Sequence, residues 1–334
     1  MSDSQTLSDC RFCSIVSKNN GEDPIGTAGT CDHWLMVELA LPWTEKLLRE
    51  DPKVQSVMAL IQKLTLDGVK VRALAIAPDR EYSRPECTRV LYYHRPAKFF
   101  AQFDKQEFCI PTATLPDLAA ALLTQPENLS QFESYRQETQ NIRDLLVCTH
   151  GNVDVACARF GYPIYEILRQ NYAPKSNSQL RVWRCSHFGG HRFAPTLLDL
   201  PEGRYWGHLN SNVLDTLVWR TGSVKELYPF YRGWAGLTQF AQIVEREIWM
   251  YEGWDWLNYH KAEHPIAAIE TYENKNIEEV EVQINFVDSN RNESAYRAKV
   301  EANGEVMSLS ASGDQQPLMV VKQYQVNGLT KITP

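Results

Sequence analysis

The chain has 334 residues, of which 43% are hydrophobic and 22% charged, the composition of a globular protein long enough for two or three domains. A net charge of -7 with no long basic run excludes the phosphate-neutralising surface that nucleic-acid binding requires. The opening "MSDSQTLSDCRFCS" lacks an apolar signal core, and no run of 18 apolar residues occurs, so a cytoplasmic protein without a membrane partner is expected.

From Trp34 the sequence reads as a strand, "WLMVEL", an amphipathic helix around "VQSVMALIQKL", and strands "VKVRALAIAP", "TRVLYYH" and "FDKQEFCI", followed by a helix in "TLPDLAAALL". A polar connector rich in Gln and Glu follows, and the order begins again. "RDLLVCTH" reads as a strand, "CARFGYPIYEILRQNY" contains a helix, and "LRVWRCS" is a strand. "FAPTLLDL" and "RYWGHLN" flank the turn "PEG", and "NVLDTLVWR" is a closing helix. The expectation is two α/β units of thioredoxin-like order, over residues 1–135 and 140–235, the first without metal ligands and serving as a scaffold. Residues 236–334 are expected to add a helix within "GLTQFAQIVEREIWMYEGWDWLNYH" and a small antiparallel β appendage with turns at "DSNRN" and "ANGE".

The chemistry concentrates in the second unit. Cys148 ends one strand and Cys157 follows after eight intervening residues at a helix entrance, while the adjacent strand ends in "CSHFGGH", which brings His187 and His191 to the same edge. Gly189 and Gly190 argue against a helix for the two histidines, and Phe188 stands where a zinc protease carries its glutamate. Two cysteines and two histidines suit tetrahedral zinc, or a [2Fe-2S] cluster with one iron on two sulfurs and the other on two imidazoles. The two glycines would let the backbone approach such a cofactor and offer it N–H groups. Cys185 is a rival ligand, but strand alternation favours its burial. His150 and His208 are expected to be hydrogen-bonded structure, Asp154 a helix cap, and Cys10 and Cys13 free thiols. No G-x-G-x-x-G follows a strand and no phosphate-loop lysine occurs in "GEDPIGTA", so a bound nucleotide is not expected.

"CTHGNVDVACARFG", "SHFGGHRFA" and "LPEGRYWGHL", with "FCS", "GEDPIGTA" and "ELALPW" before them, resemble the sucrase/ferredoxin-like family. The resemblance implies a thioredoxin-like ferredoxin domain in which Cys148 and Cys157 bind one iron of a [2Fe-2S] cluster and His187 and His191 the other. It also implies an electron carrier served by a separate reductase or acceptor protein. Members usually carry a basic residue at the place of Val153 and often a cysteine at that of Ala156. A zinc-stabilised adaptor and a thiol oxidoreductase are the alternatives. Sucrose hydrolysis finds no support, for want of a convincing carboxylate pair.

Overall fold

The computed structural model describes residues 11–44, 47, 50–264, 277–313 and 317–333. A short helix α1 (Cys13–Asn19) leads into β1 (His33–Glu38), α2 (Pro52–Leu66), β2 (Val71–Ile76), β3 (Thr88–His94), β4 (Asp104–Ile110) and α3 (Leu115–Leu123). The second run is β5 (Arg143–Cys148), α4 (Val155–Ile167), β6 (Leu180–Cys185), β7 (Leu197–Leu200), β8 (Arg204–Trp206), α5 (Leu214–Trp219) and β9 (Tyr231–Trp234). Helix α6 (Gln239–Glu252) then leads to β10 (His260–His264), β11 (Glu279–Val287), β12 (Glu293–Leu309) and β13 (Leu318–Ile332). The fold is mixed α/β. Among the described residues the strands form a nine-stranded sheet in the order β4-β3-β1-β2-β6-β5-β7-β8-β9 and an antiparallel four-stranded sheet, β10 to β13.

Local sequence explains the helices. Asp51 caps α2 by accepting from the Lys53 and Val54 N–H groups, Pro52 fills the first turn, and Val54, Val57 and Ile61 form the buried stripe. Asp154 caps α4 in the same way, through the Ala156 N–H. Helix α6 is shorter than the apolar pattern suggests. It stops at Gly253, φ 73°, and a 3-10 segment takes over.

Within the large sheet one strand order occurs twice. β1 and β2 pair in parallel around α2, with β3 and β4 added antiparallel beyond β1. β5 and β6 pair in parallel around α4, with β7 and β8 added antiparallel beyond β5. The two runs meet at β2 and β6 through a single ladder pair, Ile76 with Cys185. So narrow a seam lets the halves fold face to face. Trp34, Met36, Leu91 and Tyr93 of the first half share one core with Leu145, Leu146, Trp183 and Tyr205 of the second. Alternate residues Leu35, Val37, Val90 and Tyr92 pack the opposite face against α2 and α3. A ladder pair is worth about 1 kcal/mol and each large buried apolar side chain roughly 1.5–3 kcal/mol, so packing rather than the seam joins the halves.

A buried ionic group crosses the same interface. Asp144 on β5 accepts from Tyr93 on β3, Lys105 on β4, and Arg181 and Trp183 on β6, and Arg181 also donates to Glu107 on β4. Burial pushes the Asp144 carboxyl up, but the Arg181 and Lys105 charges outweigh it and hold the group well below the usual range.

The carboxy-terminal sheet differs from expectation at one point. "ANGE" is not a turn: β12 runs through it, with a bulge between Ala302 and Glu305 opposite Tyr324 and Lys322. A bulge and a turn both accept a glycine at positive φ, such as Gly304, so the local sequence does not tell them apart.

Candidate metal centre

β5 delivers Cys148 to its carboxy-terminal end, where it lies beside Cys185 of the parallel strand β6. Cys157 sits in the first turn of α4, and α4 approaches β5 closely: a Cβ on Gly161 would stand 2.1 Å from the Cys148 carbonyl oxygen. The histidine loop leaves β6 at the same edge. Its Ser186 is tied to β2 of the first half, donating its N–H to Ala75 O (2.8 Å) and accepting the Ala75 N–H at Oγ (2.9 Å).

Cys148, Cys157 and His187 converge. Nδ1 of His187 lies 3.8 Å from Cys148 Sγ and 3.7 Å from Cys157 Sγ, and the three ligand atoms all fall within 4.8 Å of one another. Both thiols are buried and His187 is half-buried. Donors around a tetrahedral zinc stand roughly 3.5 Å apart, so this trio has the separations of a metal-binding set. The thiols share a proton unequally. The hydrogen bond from Cys157 and the proximity of His187 favour Cys148 as thiolate, and the same hydrogen bond with burial pushes the Cys157 thiol up.

His191 is the neighbour of this trio, its ring centroid 5.4 Å from that of His187. Its Nδ1 lies with Asp154 Oδ2 (2.9 Å) and Cys13 Sγ (3.9 Å), so that Cys13, Asp154 and His191 form a second group within 4.8 Å. Asp154 therefore serves both as helix cap and as partner of a histidine.

Gly189 and Gly190 both lie at positive φ, 98° and 78°, a backbone conformation that by itself calls for glycine at both positions. Gly190 has a further constraint, because a Cβ there would come 2.3 Å from Nη2 of Arg232. Arg232 is fully buried and braces the loop by donating to Gly189 O (3.0 Å), while its other hydrogen bonds go to Thr27 Oγ1 and Thr27 O. All these acceptors are neutral, and a buried cation without a carboxylate is costly. Burial pushes this guanidinium down to about 10, with the two cysteine sulfurs acting in the opposite sense, so it stays charged at neutral pH beside the thiols. Its charge favours an anionic sulfur centre.

The remaining candidates have ordinary partners. Cys185 is buried in β6 and outside both groups. His150 donates from Nε2 to Trp43 O (2.9 Å) and accepts the His187 N–H at Nδ1 (3.4 Å), so it supports the histidine loop. His208 bonds Ser17 Oγ (3.3 Å), and burial pushes it down to about 4. Cys87 and Cys109 are bonded to each other in the first half, and Cys10 lies outside the described residues. Sequence reasoning missed Cys13 and Arg232 as neighbours of the histidine loop. Their contacts span 178 and 43 residues, and no local pattern signals them.

No curated protein and no solved structure matches the chain. A family model described as Sucrase/ferredoxin-like matches residues 24–233, a span that runs from ahead of β1 into β9 and contains Cys148, Cys157, His187 and His191. By that match over most of its length, the chain belongs to the sucrase/ferredoxin-like family.

Proposed function

We propose that this protein is an electron carrier whose residues 140–235 form a thioredoxin-like ferredoxin domain holding one [2Fe-2S] cluster. Cys148 and Cys157 would hold one iron and His187 and His191 the other. Such a cluster supplies reversible one-electron transfer at a potential that histidine ligation raises. The observation that carries this reading is the convergence of two buried thiols on His187, with His191 beside them, in a chain of this family.

The chain's own groups support it. Arg232 offers positive charge to the sulfur centre, and the loops keep three of the four side chains together. A cleft of about 460 Å³, walled by Val57, Met58, Ala73, Leu115 and Val153, reaches His187, giving a redox partner protein access to one edge. Val153 and Val155, 49% and 45% exposed, add apolar surface beside the cysteine loop. The first half, residues 1–135, holds the histidine loop through Ala75 and Trp43 as a scaffold. No helix among the described residues is long and apolar enough to cross a membrane, which is compatible with a cytoplasmic carrier.

One observation favours a second reading. Cys148, Cys157 and His187 surround a single point, as the donors of one zinc ion would in an adaptor protein. Absorption spectroscopy with metal and sulfide analysis separates the two. A red-brown protein with two irons and two acid-labile sulfides per chain supports the carrier. A colourless protein with one zinc overturns it.

A further inference from the structure

The two histidines are held by different means. His187 turns Nδ1 to the two thiols, whereas His191 turns Nδ1 to Asp154 Oδ2 at 2.9 Å. An ionised carboxylate only accepts hydrogen bonds, so His191 Nδ1 is the donor of this pair, and the neutral tautomer so held is the one that keeps its lone pair on Nε2. Asp154 is well fixed for such a task. It is 6% exposed, and Oδ1 accepts from the Ala156 N–H (2.8 Å) and Ser312 Oγ (2.7 Å), while Oδ2 accepts from the Ser312 N–H (2.8 Å) as well as from His191. Ser312 follows β12 and stands 158 residues from Asp154. Its Oγ also accepts the Cys13 N–H at 3.1 Å, so the amino-terminal helix, the cysteine loop and the carboxy-terminal sheet meet behind His191.

We propose that Asp154 is the positioning residue of the metal centre: it sets His191 in the tautomer that binds through Nε2, and Ser312 of the carboxy-terminal segment holds Asp154 in place for it. The inference rests on His191 being a ligand. On this account the two imidazoles are inequivalent, one binding through Nδ1 and the other through Nε2, and the carboxy-terminal sheet is part of the centre rather than an accessory to it. Outer partners of a ligating histidine that fix its tautomer commonly change metal affinity 10–100-fold when removed.

The test uses the full-length protein with its metal. Asp154→Asn keeps an oxygen for the Ala156 cap, but its amide nitrogen would face His191 Nδ1 as a donor and favour the tautomer with no lone pair on Nε2. It is expected to lose metal to a chelator roughly 10–100 times faster than the parent. The reduced protein should show a changed electron paramagnetic resonance spectrum, and the midpoint potential should rise because a neutral amide replaces an anion. Ser312→Ala leaves the carboxylate but removes one of its donors, and should act in the same direction by roughly two- to tenfold. Equal chelator rates and equal potentials in Asp154→Asn and the parent overturn the proposal. If Asp154→Asn does not fold, equal rates and potentials in Ser312→Ala overturn it instead. A parent protein that binds no metal refutes the electron-carrier reading itself, a result distinct from either.

Discussion

The two halves of the large sheet share a strand order and differ in what stands where strand gives way to helix. At the end of β5 are Cys148 and, across the loop, Cys157. At the end of β1 is Glu38, which accepts from Ser83 Oγ, and past β2 Asp79 is clamped by Arg169 of the second half at 2.9 Å. Equivalent places thus carry thiols and imidazoles in one half and a hydrogen-bonded, ion-paired brace in the other. The comparison teaches that the architecture supplies the position, a strand end with room for convergent loops, while side chains alone decide whether it becomes a chemical centre or a fastening.

Four sets of substitutions break or sharpen that contrast. The largest effect belongs to the second half: Cys148→Ser or Cys157→Ser should abolish the visible absorption of the purified protein, while Cys109→Ser in the first half and the buried Cys185→Ser leave the spectrum nearly unchanged. Bleaching by Cys185→Ser alone would reassign the ligands. Next comes the ionic group that spans both halves. Asp144→Ala leaves the buried Arg181 and Lys105 with Glu107 as the one carboxylate they share, and should cost about 3–5 kcal/mol in urea unfolding. A cost below about 1 kcal/mol would mean that the interface does not depend on it.

Lys261 gives a pH-dependent probe of the contact between the first half and the carboxy-terminal segment. It pairs by backbone with Phe100 of the first half, and its ammonium, fully buried, donates to the Trp256 and Tyr259 carbonyls. Burial pushes it down to about 7, with Arg204 acting in the same sense and Glu245 and Glu202 against it. The unfolded chain keeps this proton up to about pH 10.4, so between pH 7 and 10.4 the unfolded state binds more protons and stability from this group rises with pH. It is lost again as pH falls through 7. Lys261→Met should therefore narrow its stability gap to the parent at low pH and widen it at high pH, by a few kcal/mol in total. A gap constant from pH 6 to 10 refutes the shift. The smallest of these effects is Gly190→Ala, which places a methyl group against Arg232 at positive φ and should cost about 1–3 kcal/mol. The matching change at Gly189, where a Cβ meets nothing within 4 Å, bears only the backbone strain.

Much of the centre was legible because its parts are short-range. A strand ending in cysteine, a second cysteine at a helix cap and two histidines around paired glycines each show within a dozen residues, and strand periodicity placed them at one edge. The doubled strand order was legible for the same reason. The face-to-face closure of the halves was not, since a seam one pair wide leaves no trace in the alternation of β2 or β6. Strands β9 and β10, four and five residues, carry too little periodicity to be seen, and no turn marks them as "PEG" marks the comparably short β7 and β8. The environment of His191 was hidden for a different reason: Cys13 and Ser312 lie at opposite ends of the described chain, and only the folded chain makes them neighbours.

That last juxtaposition bears on the order in which the centre is assembled. Cys148 and His187 are 39 residues apart, but Cys13 and Ser312 are separated by 299, and Ser308 reaches Glu22 across 286. At synthesis rates of about 5–20 residues per second, the thiols and His187 leave the ribosome many seconds before Ser312 exists. The nascent chain therefore passes through an interval in which three donors are ready and the support of His191 is missing. On the electron-carrier reading, a cofactor meets three of its donors during translation, whereas the support of His191 comes only once the last long strands have been made.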